Sequence, residues 1–280
     1  MPFRSLWALI LLCSPSVSLA GPFPPAAGVP GSTALSATDA SIVGWANGYI
    51  DYLPGASVDA QFQTPARALH AAGNSDGSNA GFIFDIVSLG ESGSITLAFD
   101  PPIANGAGND FAVFENSFSD SFLELAWVEV SSNGVDFYRF NNVSLTPDSV
   151  GAFGTIDTTD IFGYGGKYRG GYGTPFDLQD LVGQPALDTD RVLYVRIVDI
   201  TGDGSAFDTL PPPSGPLPIY DPYPGNGSVG FDLDAVAVLH QAEPLAEENA
   251  PLPGLALLVL MAVLLGIGSK RITVPAPHVR

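Results

Sequence analysis

Cysteine is nearly absent from this chain of 280 residues, and histidine is rare. The one cysteine, Cys13, follows an N-terminal apolar stretch from Leu6 to Leu12, so no internal disulfide can form. The three histidines, His70, His240 and His278, are scattered, and no Gly-x-Ser-x-Gly elbow accompanies them. A zinc site and a Ser-His nucleophile therefore find little support. Stability must come from core burial, helped by any bound metal.

Positive charge is also scarce. Ten Lys and Arg face 29 Asp and Glu, for a net charge of −19. The acidic residues all lie between Asp39 and Glu248, where six cations oppose them: Arg67, Arg139, Lys167, Arg169, Arg191 and Arg196. So negative a field repels nucleic acid and anionic lipid. The same negative field attracts divalent cations, and net charge of this kind also keeps a protein soluble outside the cell.

Helical periodicity is limited to one soluble stretch, Thr38 to Tyr52, where we expect one short N-terminal helix. After it, short apolar or alternating runs separated by turn residues predict strands. They are Phe82–Val87, Ser94–Phe99, Asp110–Glu115, Ala126–Ser131, Phe137–Phe140, Val192–Ile200 and Gly230–His240. Asn133-Gly134 predicts a tight hairpin turn. The expected fold is all-β, an antiparallel jelly roll or β-sandwich.

The two ends of the chain predict export and anchoring. Residues 1–20 carry Arg4, an apolar stretch and a Ser18-Leu-Ala20 cleavage site, as secretory signals do. A flexible lead-in over 21–36, a β domain over 37–243 and a linker over 244–253 follow. Residues 254–271 form an apolar run ending in Lys270-Arg271, of a length that can just cross a bilayer as a helix. Its basic pair favours a cytoplasmic end, and residues 272–280 form a short tail.

The C-terminal pattern resembles a sorting signal. Pro251-Leu252-Pro253 precedes the apolar run and Lys270-Arg271 follows it. This arrangement resembles the tails of bacterial PEP-CTERM proteins in their Pro-Leu-Pro variant. The resemblance implies recognition and processing by an exosortase-type enzyme. The alternative is an unprocessed anchor that holds the chain in the membrane through its C-terminal helix.

A second resemblance covers most of residues 38–240. Its motifs include Asp110-Phe-Ala-Val-Phe-Glu-Asn116, Trp127-Val-Glu-Val-Ser-Ser-Asn-Gly134 and Gly230-Phe-Asp-Leu-Asp-Ala-Val236. In this order they resemble a family of secreted bacterial cell-surface proteins that often bear PEP-CTERM tails. The hairpin from Val128 to Phe137 is also similar to a strand pair of discoidin-like, galactose-binding-like jelly rolls. Neither resemblance implies a known catalytic centre.

Carboxylates cluster at the ends of predicted strands, and we expect calcium there. The candidate ligands are Asp110, Glu115, Asp199, Asp203, Asp232 and Asp234. Asp199-Ile-Thr-Gly-Asp203 places two carboxylates on one turn, which suits a cation of variable oxygen geometry. Asp232 and Asp234 would share one strand face, which is costly unless a cation, an arginine or backbone amides balance them. The alternative is that these aspartates form turns or pair with Arg191 or Arg196.

Glycine and tyrosine together mark a candidate ligand surface. The loop from Gly163 to Gly173 carries Tyr164, Lys167, Tyr168, Arg169 and Tyr172, and a second loop spans Leu210 to Gly227. Tyrosine rings in an open loop could stack on sugars while the cations bind hydroxyls or an anionic polysaccharide. The alternative is that the tyrosines pack the loop onto the domain.

The sequence thus predicts a non-catalytic, surface-anchored module that binds an extracellular polysaccharide or another envelope component, stabilised by calcium. An exported polysaccharide-active enzyme is one alternative, using Glu115 with Glu129 or Asp199 as a glycosidase pair. With 29 acidic residues such pairs are unavoidable. A purely structural surface component is the other alternative.

Overall fold

Short β-strands make up most of the regular structure. The computed structural model describes residues 20–73, 85–225 and 227–243, and the part up to Ala242 belongs to one compact unit. In these ranges the strands are β1 Leu35–Ser36, β2 Gly44–Trp45, β3 Gly48–Leu53, β4 Val87–Ser88, β5 Ser94–Ile103, β6 Phe111–Glu115, β7 Ala126–Ser131, β8 Tyr138–Arg139, β9 Val143–Ser144, β10 Ile161–Phe162, β11 Tyr172–Phe176, β12 Val192–Asp199, β13 Asp203–Phe207, β14 Pro218–Tyr220 and β15 Asp232–Val238. Four short 3-10 helices lie between them: Ala60–Phe62, Pro65–Leu69, Thr158–Asp160 and Leu178–Leu181.

The strands form two larger sheets, and the pairs within them are antiparallel. A six-stranded sheet has the order β1-β11-β6-β15-β2, with β4 also paired to β15. A five-stranded sheet has the order β3-β5-β12-β7-β8. Two small sheets join β9 to β10 and β13 to β14. Most neighbours are distant in the chain, so the fold rests on long-range pairing.

The largest apolar cluster draws on both sheets. Phe111 and Leu233 contribute from the six-stranded sheet, and Leu97 and Val195 from the five-stranded sheet. Alternate residues of a strand point to one face, as Ile95 and Leu97 of β5 do in this cluster. Each fully buried Leu, Val, Ile or Phe contributes about 1.5 to 3 kcal/mol relative to exposure. This core holds the strand ends, and therefore their polar residues, in fixed positions.

The mostly antiparallel β fold is confirmed, but the helix predicted over Thr38 to Tyr52 is wrong. That segment contains β2 and β3, which pair with β15 and β5 respectively. The apolar positions that fit a helix are used by two strands in different sheets. Gly44 and Gly48 weaken a helix there. Helical structure in the described ranges is confined to the 3-10 segments above.

The hairpin at Asn133-Gly134 is confirmed, with a longer turn than expected. β7 ends at Ser131 and its partner β8 begins at Tyr138. The Asn133 side-chain oxygen accepts hydrogen bonds from two backbone N–H groups further along the turn, and Gly134 has a φ of 74°. The side chain of Asn133 thus shapes the turn, while Gly134 supplies the left-handed conformation.

The segment 21–36, predicted to be a flexible lead-in, belongs to the fold. Its β1 pairs with β11, the Phe23 ring stacks on Phe162, and Thr33 is hydrogen-bonded to the hydroxyl of Tyr168 at 2.8 Å. The predicted signal peptide, except Ala20, and everything after Glu243 lie outside the described residues. Within the described ranges, none of the helices has the length and apolar character needed to cross a bilayer.

Candidate functional site

Five buried carboxylates meet where several strands end, and we name them the acid cluster. Each is at most 8% exposed. The strand ends place four of them, since β6 ends at Glu115, β12 ends at Asp199, β14 is followed by Asp221 and β15 begins at Asp232. Glu124 comes from the segment before β7. In the ranges that the structure describes, no Lys, Arg or His forms an ion pair with any of the five.

Backbone amides satisfy part of this charge. Asp199 accepts hydrogen bonds from the N–H groups of Ser92 at 2.8 Å and Phe231 at 2.7 Å. Asp221 accepts one from Leu125 at 2.8 Å. Glu115 accepts one from the N–H of Ser117 and Asp232 accepts one from the hydroxyl of Ser88. Apart from the bond to Ser117, they join parts of the chain far apart in sequence, so they are neither the local turns nor the arginine pairs of the alternative interpretation.

Burial still dominates the electrostatics of the cluster. It raises the pKa of Asp199 to about 7 and that of Asp232 to about 6. Burial, with the charge of Asp232 as the next cause, holds the pKa of both Glu115 and Glu124 well above the usual value. The pKa of Asp221 is raised in the same way, by burial and then by Asp199. The cluster therefore favours protons, or another cation, over five separate negative charges.

Glu124 differs from its neighbours because no hydrogen bond from the described part of the chain holds its side chain. No hydrogen-bond donor among the described residues reaches its carboxylate, although it is only 8% exposed. It lines a cavity of about 10 Å³ together with Glu91, Asp199 and Asp221. We name this space the acidic cavity. Its volume is close to that of one water-sized sphere.

The predicted metal ligands divide among separate places. Asp199 lines the acidic cavity, and Glu115 and Asp232 belong to the acid cluster. Asp110 binds the N–H groups of Gly106 and Leu178 and contacts His240 Nδ1 at 2.9 Å. Asp203 is exposed and binds the N–H of Ser205, so the turn from Asp199 does not present two carboxylates together.

Asp234 also departs from the predicted arrangement with Asp232. It binds the N–H of Gly73 at 3.0 Å, whereas Asp232 binds Ser88. A register shift lies between Leu233 and Ala235, so strict alternation is interrupted at Asp234. Among the described residues, no three Asp, Glu, His or Cys side chains are gathered closely enough to hold a metal ion as they stand.

A larger cavity of about 390 Å³ lies elsewhere in the fold. We name it the aromatic cavity, because the rings of Phe140, Phe162 and Phe176 line it. Its polar lining residues are Thr33, Asn109, Asn141, Lys167, Thr174, Asp177 and Asp180. Clefts of this size, mostly apolar with a few polar groups, are typical of small-ligand sites.

Two polar groups of the aromatic cavity have unused hydrogen-bonding capacity. The hydroxyl of Thr174 is buried and has no partner in the described structure. The ammonium of Lys167 donates to the backbone carbonyls of Thr158 and Ile161, each at 2.5 Å. One of its three hydrogens has no partner among the described residues, and burial lowers its pKa to about 8. The cavity therefore combines aromatic faces with groups that can bind a hydroxyl.

The loop from Gly163 to Gly173 is a packing element, which corrects the expectation of an open tyrosine surface. Tyr164 and Tyr168 are buried, and Lys167 is 3% exposed. Arg169 forms an ion pair with Asp120 at 2.6 Å and covers the half-buried ring of Tyr172. Of the five predicted ligand residues, only Lys167 lines the aromatic cavity.

An exposed row of aromatic rings lies on another part of the surface. Phe153 is 80% exposed and Phe118 is 63% exposed. Phe122 lies between them, with ring centroids 6.2 Å from Phe118 and 6.4 Å from Phe153. We name these three residues the aromatic row. It is the second place where a sugar face could stack.

Glu129, named above for a glycosidase pair, is already engaged by two arginines. Its carboxylate contacts Arg139 at 2.7 Å and Arg196 at 2.5 Å. The two guanidinium groups also lie over the rings of Trp127 and Phe137, each at 3.8 Å. This arrangement joins β12, β7 and β8, three neighbouring strands of the five-stranded sheet.

Two members of the acid cluster, Glu124 and Asp221, are not among the sites predicted from the sequence. Glu124 stands between two buried leucines, Leu123 and Leu125, and an acid inside such an apolar run is the pattern that could have marked it. Asp221 lies in a Pro-rich and Gly-rich stretch where aspartate ordinarily forms turns. Its burial depends on a contact with Leu125, far away in sequence, so no local pattern indicates it.

Comparison of the chain with models of known protein families and with curated proteins gives no match.

Proposed function

We propose that this chain is an exported, non-catalytic cell-surface protein that binds a sugar unit of an extracellular polysaccharide in the aromatic cavity. In this proposal the two sheets form a jelly-roll-like β-sandwich, and the C-terminal segment holds the chain in the membrane or directs exosortase-type processing. The resemblance to PEP-CTERM cell-surface proteins supports the export and anchoring parts.

The observation that carries the proposal is the lining of the aromatic cavity. Its volume of about 390 Å³ accommodates a small polar ligand. The rings of Phe162 and Phe176 can cover the C–H face of a sugar, while the free Lys167 hydrogen, and the Thr174 hydroxyl once it turns toward the cavity, can bind its hydroxyls. Asp177 and Asp180 line the same cavity and can accept hydrogen bonds from the sugar.

The absence of a catalytic role is a separate part of the proposal. Glu129, from the sequence-based glycosidase pair, is held by Arg139 and Arg196. Glu115 is buried on β6, in the other sheet. These positions argue against Glu115 with Glu129 as a glycosidase pair, and an assay for released sugar tests directly for turnover by Glu115 with Asp199.

The test compares glycan-array binding of the full-length protein with that of Thr174→Val. Valine keeps the shape of threonine and removes a hydroxyl that has no protein partner, so folding should be unaffected. Loss of one hydrogen bond to the ligand should weaken binding about 5-fold. Thr146→Val is the matched control, because the Thr146 hydroxyl is equally buried and unpartnered but does not line the aromatic cavity.

Variants of the aromatic row locate the binding surface independently. Phe153→Ser with Phe118→Ser should leave glycan binding unchanged if the aromatic cavity is the site. If that variant loses glycan binding while Thr174→Val still binds like the unchanged protein, the binding site is the aromatic row. Release of reducing sugars from a bound glycan would support the polysaccharide-active enzyme. Absence of binding to the whole array would favour a purely structural surface component.

A further inference from the structure

Glu124 occupies a position that its own fold does not explain. Buried polar groups are nearly always hydrogen-bonded, and a buried charge without a partner is costly. The other members of the acid cluster accept bonds from N–H or hydroxyl groups. Glu124 accepts none from the described residues, and it lines the acidic cavity. A partner for Glu124 can therefore reach its carboxylate through this cavity.

The cavity determines the chemistry of that partner. Its volume of about 10 Å³ admits one small particle, not an organic ligand. Glu91, Glu124, Asp199 and Asp221 line it, so the particle should carry positive charge. Hard divalent cations prefer carboxylate, hydroxyl and carbonyl oxygens.

We propose that the acidic cavity binds one Ca²⁺ ion through Glu124, Asp199 and Asp221. Thr201 also lines the cavity and can add an oxygen, with backbone carbonyls and water completing the set. This site differs from the predicted pairing of Asp199 with Asp203. Calcium binding in the acidic cavity does not depend on sugar binding in the aromatic cavity, so each proposal is tested separately.

Calcium fits better than magnesium for a structural reason. The acidic side chains of the described residues do not form a compact preformed set, so some carboxylate must move to complete the coordination. Glu124 can move, since no hydrogen bond from the described residues holds it. Calcium accepts six to eight oxygens at variable angles, whereas magnesium demands near-octahedral geometry and retains its water.

The close approach of backbone to carboxylate at the cavity supports a built site. A Cβ atom added to Gly202 would lie 1.7 Å from Asp221 Oδ1, and one added to Gly230 would lie 2.4 Å from Asp199 Oδ1. Both glycines also have positive φ, at 78° and 69°. Glycine at these two positions allows the two carboxylates to sit where they line the cavity.

The test measures thermal unfolding of the full-length protein, purified in detergent, with 1 mM Ca²⁺ and with chelator. A ligand that binds only the folded state raises the melting temperature. We expect a rise of several degrees with Ca²⁺ and a smaller one with Mg²⁺. Glu124→Gln should abolish most of the rise, and in chelator it should melt at or above the temperature of the unchanged protein because an unpartnered buried acid is gone.

Asp51→Asn is the control, because Asp51 is an exposed acid that does not line the cavity and is not among the candidate ligands. It should keep the full calcium response. Terbium, which replaces calcium, gives a second measurement, since Tyr223 lines the cavity and can sensitise its luminescence. Equal calcium responses in Glu124→Gln and the unchanged protein would overturn the proposal. So would the absence of any response to millimolar Ca²⁺.

Discussion

The Asp221 carboxylate accepts a 2.8 Å hydrogen bond from the backbone N–H of Leu125, one residue beyond Glu124. This bond joins the loop after β14 to the segment before β7, two parts of the chain 96 residues apart. It places an acid of the acidic cavity and the unpartnered Glu124 in one structural unit. The same contact therefore serves stability and, in our proposal, cation binding.

Replacement of Asp221 should separate its two roles. Asp221→Ala removes the acceptor of a buried N–H and should lower the free energy of unfolding by about 1 to 3 kcal/mol in chelator. Asp221→Asn keeps an oxygen acceptor and removes a buried charge, so in chelator it should cost less than Asp221→Ala. Urea unfolding measures both. Equal losses in the two variants would contradict the hydrogen-bond role.

The pH dependence of stability should reveal Asp234. Burial raises its pKa from 3.8 to about 7, the Gly73 N–H opposes the rise, and the charge of Asp85 adds to it. Because the folded state holds this proton more tightly than the unfolded state, the stabilisation is present at low pH and lost as the pH rises through about 7. Between pH 5 and pH 8 this group should cost about 2 to 3 kcal/mol.

Asp234→Asn tests this expectation. Asparagine still accepts the hydrogen bond from Gly73 and no longer titrates, so the variant should lose that part of the pH slope in chelator. Asp203→Asn, at an exposed site, should keep the slope of the unchanged protein. An identical slope in Asp234→Asn and the unchanged protein would show that other groups produce it.

Much of the strand content could be predicted, because alternation within one strand is a local property. The runs at Ser94–Phe99, Ala126–Ser131 and Val192–Ile200 all form strands. Strands of two or three residues, such as β9 and β14, carry too few positions to show a period. Their existence depends on partners that lie elsewhere in the chain.

The candidate sites were harder to predict for the same reason. The sequence predicts Asp199 as a metal ligand together with Asp203, its near neighbour in the chain. The structure instead brings it to a cavity with Glu124 and Asp221. Likewise, Tyr164 lies among glycines that suggest an open loop, yet its ring packs in a cluster with Leu123 and other apolar residues. Long-range packing decided both cases.

The burial of Tyr164 gives a prediction opposite to that of an open binding loop. Tyr164→Ala should lower the free energy of unfolding by about 3 to 5 kcal/mol, because it leaves a large cavity. Tyr164→Phe should be neutral or stabilising, since the Tyr164 hydroxyl is buried without a partner in the described structure. Tyr172→Ala, at a half-buried position, should cost less than Tyr164→Ala. A fully stable Tyr164→Ala would restore the open-loop hypothesis.

The C-terminal segment should be dispensable for folding and necessary for anchoring. A polar, Pro-containing stretch from Glu243 to Pro253 separates β15 from the apolar run and its basic pair, Lys270-Arg271. A chain ending after Glu248 should therefore be exported, soluble and folded, with the calcium response of the whole protein.

The full chain should fractionate with the membrane, or appear shortened in the extracellular matrix after processing near Pro251-Leu-Pro253. Mass spectrometry of the mature protein distinguishes these fates. An intact C-terminus through Arg280 would contradict exosortase processing but would still be consistent with a membrane anchor. Full-length protein that is soluble in the cytoplasm would contradict both the processing and the anchor.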